Sequence, residues 1–139
     1  MVLIPRNKTT VPEDRADTRY KGLPSPLVKG PGGYLQTAYT RRIIKSSIYN
    51  ILSTRKGERV MVPEFGTGLY DLLFEPLDPI TTKLAQNIVT EDIQRWEPRV
   101  TLIEANVTTD DTEQSMSIRV RYVINVTGDS DEALISLVS

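Results

Sequence analysis

Ser115-Met116-Ser117-Ile118-Arg119-Val120-Arg121-Tyr122-Val123-Ile124-Asn125-Val126 is the stretch whose reading decides the fold. Met116, Ile118, Val120, Tyr122, Ile124 and Val126 alternate with Ser117, Arg119, Arg121, Val123 and Asn125. Successive side chains on a strand point to opposite faces, so this period of two predicts a strand with one buried and one polar face. Before it, Thr109-Asp110-Asp111-Thr112 reads as a turn. Val100–Thr108 then reads as the preceding strand, with Ile103, Ala105 and Val107 on one face. After it, Gly128-Asp129-Ser130-Asp131 reads as a second turn and Glu132–Val138 as a last short strand. Short turns reverse the chain, so the three strands form a small, mostly antiparallel meander.

Upstream the apolar period changes from two to nearly four. Ile44, Ile48, Ile51 and Leu52 make a helical stripe, which predicts a first helix over residues 37–54. Gly57 stops it, and Arg55 and Lys56 suit its negative C-terminal end. Glu58–Val62 reads as a short extended segment, because Pro63 biases Val62 away from helix. Leu69–Phe74 reads as one short helix. Asp78-Pro79 is a favoured helix start, and the helix should run to Trp96. Ile80, Leu84 and Ile88 form one row on it, and Ala85, Val89, Ile93 and Trp96 the next. Both rows are expected to be buried. The fold class is α+β: two main helices and a short helix packed on the meander.

Residues 1–36 read as an extended N-terminal arm, and residues 37–139 as the folded domain. Five prolines and four glycines break the arm, and Leu23, Leu27 and Val28 are too scattered to build a core. The first five residues are too short an apolar run for a secretory signal, and no run approaches the ~18 residues of a membrane helix. The expectation is a protein made and kept in the cytosol until it is assembled.

The chain has no cysteine and no histidine. A Cys/His zinc site and a Ser-His-Asp triad are therefore impossible, and no metal or cofactor is expected. A glycosidase needs two carboxyls about 5–10 Å apart across a sugar cleft. Glu64, Asp71, Glu75 and Asp78 supply carboxyls, but one Trp and two Phe are few for an aromatic-lined groove. Charge is lopsided: residues 1–62 hold 12 Lys/Arg against 4 Asp/Glu, and the remainder 5 against 14. A basic half can bind nucleic acid. Here the cations are dispersed without interleaved aromatics, so oppositely charged protein partners fit better.

Three motifs point elsewhere. Thr54-Arg55-Lys56-Gly57 leads to Pro63-Glu64-Phe65-Gly66; Leu72-Leu73-Phe74-Glu75-Pro76 precedes the long helix; Trp96-Glu97-Pro98-Arg99 follows it. In this order and spacing, from about Ile43 to Val126, the chain resembles the small wedge protein of contractile-tail baseplates, found in phages and type VI secretion machines. The arm is longer than the start typical of that family. The resemblance implies a structural part of the virion's tail baseplate, assembled in the host cytoplasm, with six copies in the inner ring and no enzymatic activity. It implies other wedge proteins, the tail sheath subunit and the tube or hub side as partners, and no nucleic acid or membrane. It also implies that the sheet templates the first sheath ring, for which Val100–Thr108 and Glu132–Val138 are the candidate edges. A lysozyme-like glycosidase and a nucleic-acid-binding module are the alternatives.

The same resemblance nominates site residues. Glu97, Pro98 and Arg99 are expected to bind a partner, with a brace within the corner as the competing reading. On that view Arg99→Ala leaves the fold intact and blocks incorporation. Arg119 and Arg121, on the polar face of the main strand, are expected to face an acidic sheath segment or simply water. Pro63, Glu64, Phe65 and Gly66 read as a structural motif: Phe65 fills the core, Gly66 adopts a positive φ, and Glu64 caps the short helix or pairs with Arg55 and Arg59.

Overall fold

The computed structural model describes residues 20–24, 27, 29, 33, 38–76, 78–110 and 115–138. Expectations for residues 1–19, most of 25–37 and residues 111–114 lie outside these. The chain divides into two compact units, residues 1–46 and 47–139, with the boundary inside a helix.

In the first unit, β1 (Lys21–Gly22) pairs antiparallel with β2 (Ala38–Tyr39). The Tyr20 N–H donates to Thr40 Oγ1 at 3.2 Å. Part of the expected arm thus forms a two-residue ladder despite its prolines. This ladder also explains why helix α1 (Thr40–Ser53) starts later than residue 37. Ala38 and Tyr39 are committed to β1, and their φ/ψ cannot also be helical. Ile44, Ile48, Ile51 and Leu52 are all buried. The helix ends at Ser53: the Thr54 hydroxyl donates back to the Asn50 carbonyl at 2.6 Å, and the next amide, Arg55 N–H, donates to the Glu58 carboxylate at 3.0 Å instead of continuing the helix.

In the second unit, α2 (Leu69–Leu72) is a single turn, and α3 (Pro79–Trp96) is the long helix. Asp78 caps α3: its Oδ1 accepts from the Thr81 N–H at 2.7 Å, and Pro79 occupies the first helical position. These hydrogen bonds from Thr81 hold the Asp78 carboxyl below its ordinary pKa. The burial of α3 differs from expectation. Thr81, Ala85, Val89, Asp92 and Ile93 form the buried stripe, while Ile80 and Leu84 face water. A helix packed on one surface buries a single stripe, so only one of two adjacent apolar rows goes inside. Here that surface includes β3 (Val100–Asp110).

β3, β4 (Ser115–Ile124) and β5 (Ser130–Val138) form an antiparallel sheet in that order. On its buried face Met116 lies across from Leu137, Ile118 from Ile135 and Val107, and Val120 from Ala133. Each fully buried side chain of this size contributes roughly 1.5–3 kcal/mol. Two details depart from strict alternation. The register shifts between Leu102 and Glu104, and Ile103 is exposed instead of sharing a face with Ala105 and Val107. A bulge adds one residue to one strand and so changes which residues point inward. Also, β4 ends at Ile124, not Val126, which is exposed. The Asn125 N–H donates to the Arg99 carbonyl and the Gly128 N–H to Ile124, which turns the chain early.

Candidate partner-binding site

The expected partner tripeptide sits at the exit of α3. The Glu97 N–H still donates to the Ile93 carbonyl at 2.8 Å, but its φ of −126° leaves the helix. Pro98 prevents any return. Glu97 is only 1% exposed. Arg99 binds its carboxylate with two parallel bonds, Nε to Oε1 at 2.5 Å and an Nη to Oε2 at 2.6 Å. Burial pushes the Glu97 carboxyl up, but hydrogen bonds from Arg99 and Ser47 and the Arg99 charge outweigh this, so its pKa lies below the ordinary value. Glu97 is therefore occupied within the fold. What faces outward is Pro98 and part of Arg99, whose side chain is 30% exposed. This pairing adds a stability cost to Arg99→Ala that the motif alone does not suggest.

Asn125 locks the corner from the sheet side. Its Nδ2 donates to the Pro98 carbonyl at 3.2 Å, and its Oδ1 accepts from the Thr101 hydroxyl at 2.6 Å. The alternation assigns Asn125 to the polar face and gives no hint of this role.

The second motif meets the first at the C-terminal end of α3. The Phe65 ring packs edge-on against Trp96 at 5.2 Å, and Arg59 covers its other side at 4.0 Å. Phe65 is thus half-buried in a stack instead of filling the core. Glu64 pairs with Arg95, not with Arg55, Arg59 or the short helix. Arg55 instead lies over the Tyr70 ring at 4.8 Å, and its N–H donates to the Glu58 carboxylate. Pro63 closes the loop, since its carbonyl accepts from the Gly57 N–H at 2.7 Å. Gly66 has φ +108°. Glu58–Val62 is neither helix nor strand. The hydrogen bonds pin the loop's two ends together, and among the described residues no strand pairs with its tip, which is exposed.

An ion pair with one buried partner holds this loop on α3. Lys56 Nζ lies 3.0 Å from Asp92 Oδ1, and the Asp92 side chain is 6% exposed. Among the described residues, Asp92 Oδ2 and Trp96 Nε1 have no hydrogen-bond partner. Sequence reasoning missed Asp92, although it stands three residues after Val89 and four before Trp96 in the apolar stripe. Lys56→Ala is expected to cost about 1–2 kcal/mol, below the value for a fully buried pair because Lys56 is half-exposed. The double variant Lys56→Met/Asp92→Leu should recover most of that loss in urea unfolding.

Arg119 and Arg121 are not part of this cluster. They lie on the sheet's outer face, about 20 and 13 Å along β4 from Asn125 at ~3.3 Å per residue. Arg121 pairs with Glu104 at 3.5 Å, and Arg119 lies across from Asn106 and Leu134. The carboxyls weighed for hydrolysis are also dispersed among other tasks: Glu64 on Arg95, Asp78 on its helix, Asp71 and Glu75 in solvent. A groove of about 410 Å³ beside the start of α3 is lined by Pro79, Thr82, Lys83, Gln86 and Thr109, none of them acidic.

The sequence pattern of the family described as baseplate wedge protein gp25 matches residues 38–129. The chain belongs to this family. Baseplate wedge protein gp25 of Enterobacteria phage T4 is 32% identical over 99 residues, covering 70% of this chain and 75% of that protein. A crystal structure from Geobacter sulfurreducens, described as a candidate tail lysozyme, is 31% identical with a TM-score of 0.63. That match covers 68% of this chain and 86% of the other. A chain of the anti-feeding prophage baseplate, seen by cryo-EM, shares the fold at 19% identity, with a TM-score of 0.61 over 86% of this chain and 85% of its own. The wedge-family match includes the loop motif, the corner and β4, and stops just before β5. As a member of the baseplate wedge family the chain is a structural component of a contractile-tail baseplate, with other baseplate proteins as its partners.

Proposed function

We propose that this wedge protein joins the inner ring of a tail baseplate, in six copies, and templates the first ring of sheath by accepting a sheath strand at the β5 edge. The observation that carries this reading is the sheet order β3-β4-β5, which leaves two edges. An edge presents unpaired N–H and C=O groups that a strand from another chain can satisfy. The edges are not equivalent. β3 is bulged and has α3 against it, whereas β5 pairs with β4 in unbroken register over nine residues. Regular strands accept partners and bulged ones resist them. On β5, Leu134, between the buried Ala133 and Ile135, and Val138, after the buried Leu137, are exposed, so an incoming strand gains apolar contact as well as main-chain bonds.

In this reading Pro98 and the outer part of Arg99 meet a neighbouring wedge protein, while Glu97 sets the corner. Arg119 and Arg121 face an acidic segment of the sheath. The tube or hub side of the baseplate is a further partner of the protein. The protein acts in the virion after assembly in the host cytoplasm, as a scaffold and not as a glycosidase. Cryo-EM of the intact particle tests it. The expected map has this chain where the baseplate meets the first sheath ring, with a foreign strand beside β5. A bare β5 edge would overturn the template reading.

A further inference from the structure

Two apolar surfaces of the second unit stay in water, and their charged surroundings are opposite. The first is the tip of the loop between α1 and α2. Val60 and Met61 are 93% and 91% exposed. Arg55 and Arg59 precede them; Lys56 is taken up by Asp92 and Glu64 by Arg95, which leaves Glu58 as the opposing acid. The tip stands on a fixed base, because hydrogen bonds join Gly57 to Pro63, Lys56 to Thr67, and Thr67 to Thr54. An apolar tip held this way has already lost its loop entropy and docks at a lower cost than a mobile one. The second is a strip of Ile80, 77% exposed, and Leu84, one turn apart at the start of α3, with Phe74, 72% exposed, six residues before Ile80. Asp71, Glu75 and Asp78, close to it in sequence, are exposed, with Lys83 as the opposing cation.

We propose that the basic-flanked tip of one copy docks on the acidic-rimmed strip of a second copy of this chain. The tip cannot cover its own strip. Its base is fixed to Asp92, Arg95 and Trp96 at the end of α3, whereas Ile80 and Leu84 lie at the start. Twelve helical residues separate these positions by about 18 Å. The contact is therefore heterologous: each copy gives a tip and receives one, and the series closes as a ring or extends as a filament. A few side chains on each partner bury well under the ~1,200 Å² of a stable interface, so the contact between two copies in solution is weak and transient. It does not depend on strand addition at β5.

The absence of cysteine makes the test clean. Full-length Met61→Cys and Leu84→Cys proteins are mixed under mild oxidation. The mixed disulfide dimer is expected at roughly tenfold the yield of the control mixture of Met61→Cys with Thr108→Cys, a ratio that 1.4 kcal/mol of docking energy produces. Neither cysteine protein alone should self-link at that yield. Placing Glu75→Lys on the strip protein should lower the yield, and Arg59→Glu on the tip protein should restore it. Val60→Cys with Ile80→Cys is the second pair if either first variant melts early. Equal yields in the docking and control mixtures would overturn the proposal, as would insensitivity to the charge swap. A β5 edge found bare in the particle would leave this contact standing, so the two readings fail separately.

Discussion

Replacing Gly66 with alanine is expected to destabilise the protein by about 3 kcal/mol or more, through a disfavoured backbone conformation and a steric clash together. Gly66 has φ +108°, where a side chain is strained. Its added Cβ would press on the Thr54 carbonyl oxygen and stand 2.9 Å from the carbonyl carbon. That carbonyl cannot swing away freely, because it accepts the Thr67 N–H at 2.8 Å and so ties the loop to the end of α1. Gly57 is the control. It also has positive φ, +88°, but nothing lies within 4 Å of its added Cβ. Gly57→Ala should cost only about 1 kcal/mol. Urea unfolding of both variants checks the difference. Equal losses would mean that the Thr54 contact is not fixed. The Gly66 variant should also release the Val60-Met61 tip, and so abolish cross-linking before it abolishes folding.

Arg99→Ala is expected to cost about 3 kcal/mol at pH 7, because it strands a buried carboxylate. A loss of that size lowers Tm by roughly 10–20 °C in a domain of this length. The pH dependence separates this cause from simple loss of packing. In the wild type the Glu97 pKa is depressed. Its contribution is therefore present above the unfolded carboxylate value of about 4.3 and is lost as pH falls through the folded value. Without the Arg99 side chain, burial, the largest influence, is opposed only by the hydrogen bonds from Ser47 and from the backbone N–H of residue 99, and the pKa should rise above the unfolded value. The variant then loses stability as pH climbs past about 4.3. The gap between the two proteins should be wide at pH 7 and narrow below pH 4. A constant gap would show that Arg99 works by packing alone. Arg99→Lys keeps the charge but loses the paired bonds, and should fall between.

Arg99 also shows what a motif can and cannot tell. Glu97-Pro98-Arg99 marks a helix exit in sequence because proline ends helices, and that exit is where the chain turns. Whether its charges face a partner or each other depends on burial, which the tripeptide does not encode. Asp92 is the converse case. Its position in the apolar stripe was visible, but the Lys56 that neutralises it lies 36 residues earlier and meets it only in three dimensions. Glu64 likewise offered several nearby cations in sequence, and the fold chose Arg95, 31 residues away.

Local chemistry determined much of this protein. The period-two alternation of 115–124 placed one face of β4 inside, since a strand's geometry allows no other pairing of pattern and face. Asp78-Pro79 set the start of α3 because the Asp78 carboxylate satisfies one orphan amide and Pro79, with no N–H, leaves none to satisfy at its own position. Three features were left to the tertiary structure. The bulge at Leu102/Glu104 exposes Ile103, the Ile80-Leu84 row stays in water, and Val60-Met61 is carried on a closed loop instead of an extended segment. Each depends on what lies opposite, on the register of a neighbouring strand or the single surface a helix can face. Periodicity reports which residues share a face, and only packing decides which of two apolar faces is covered.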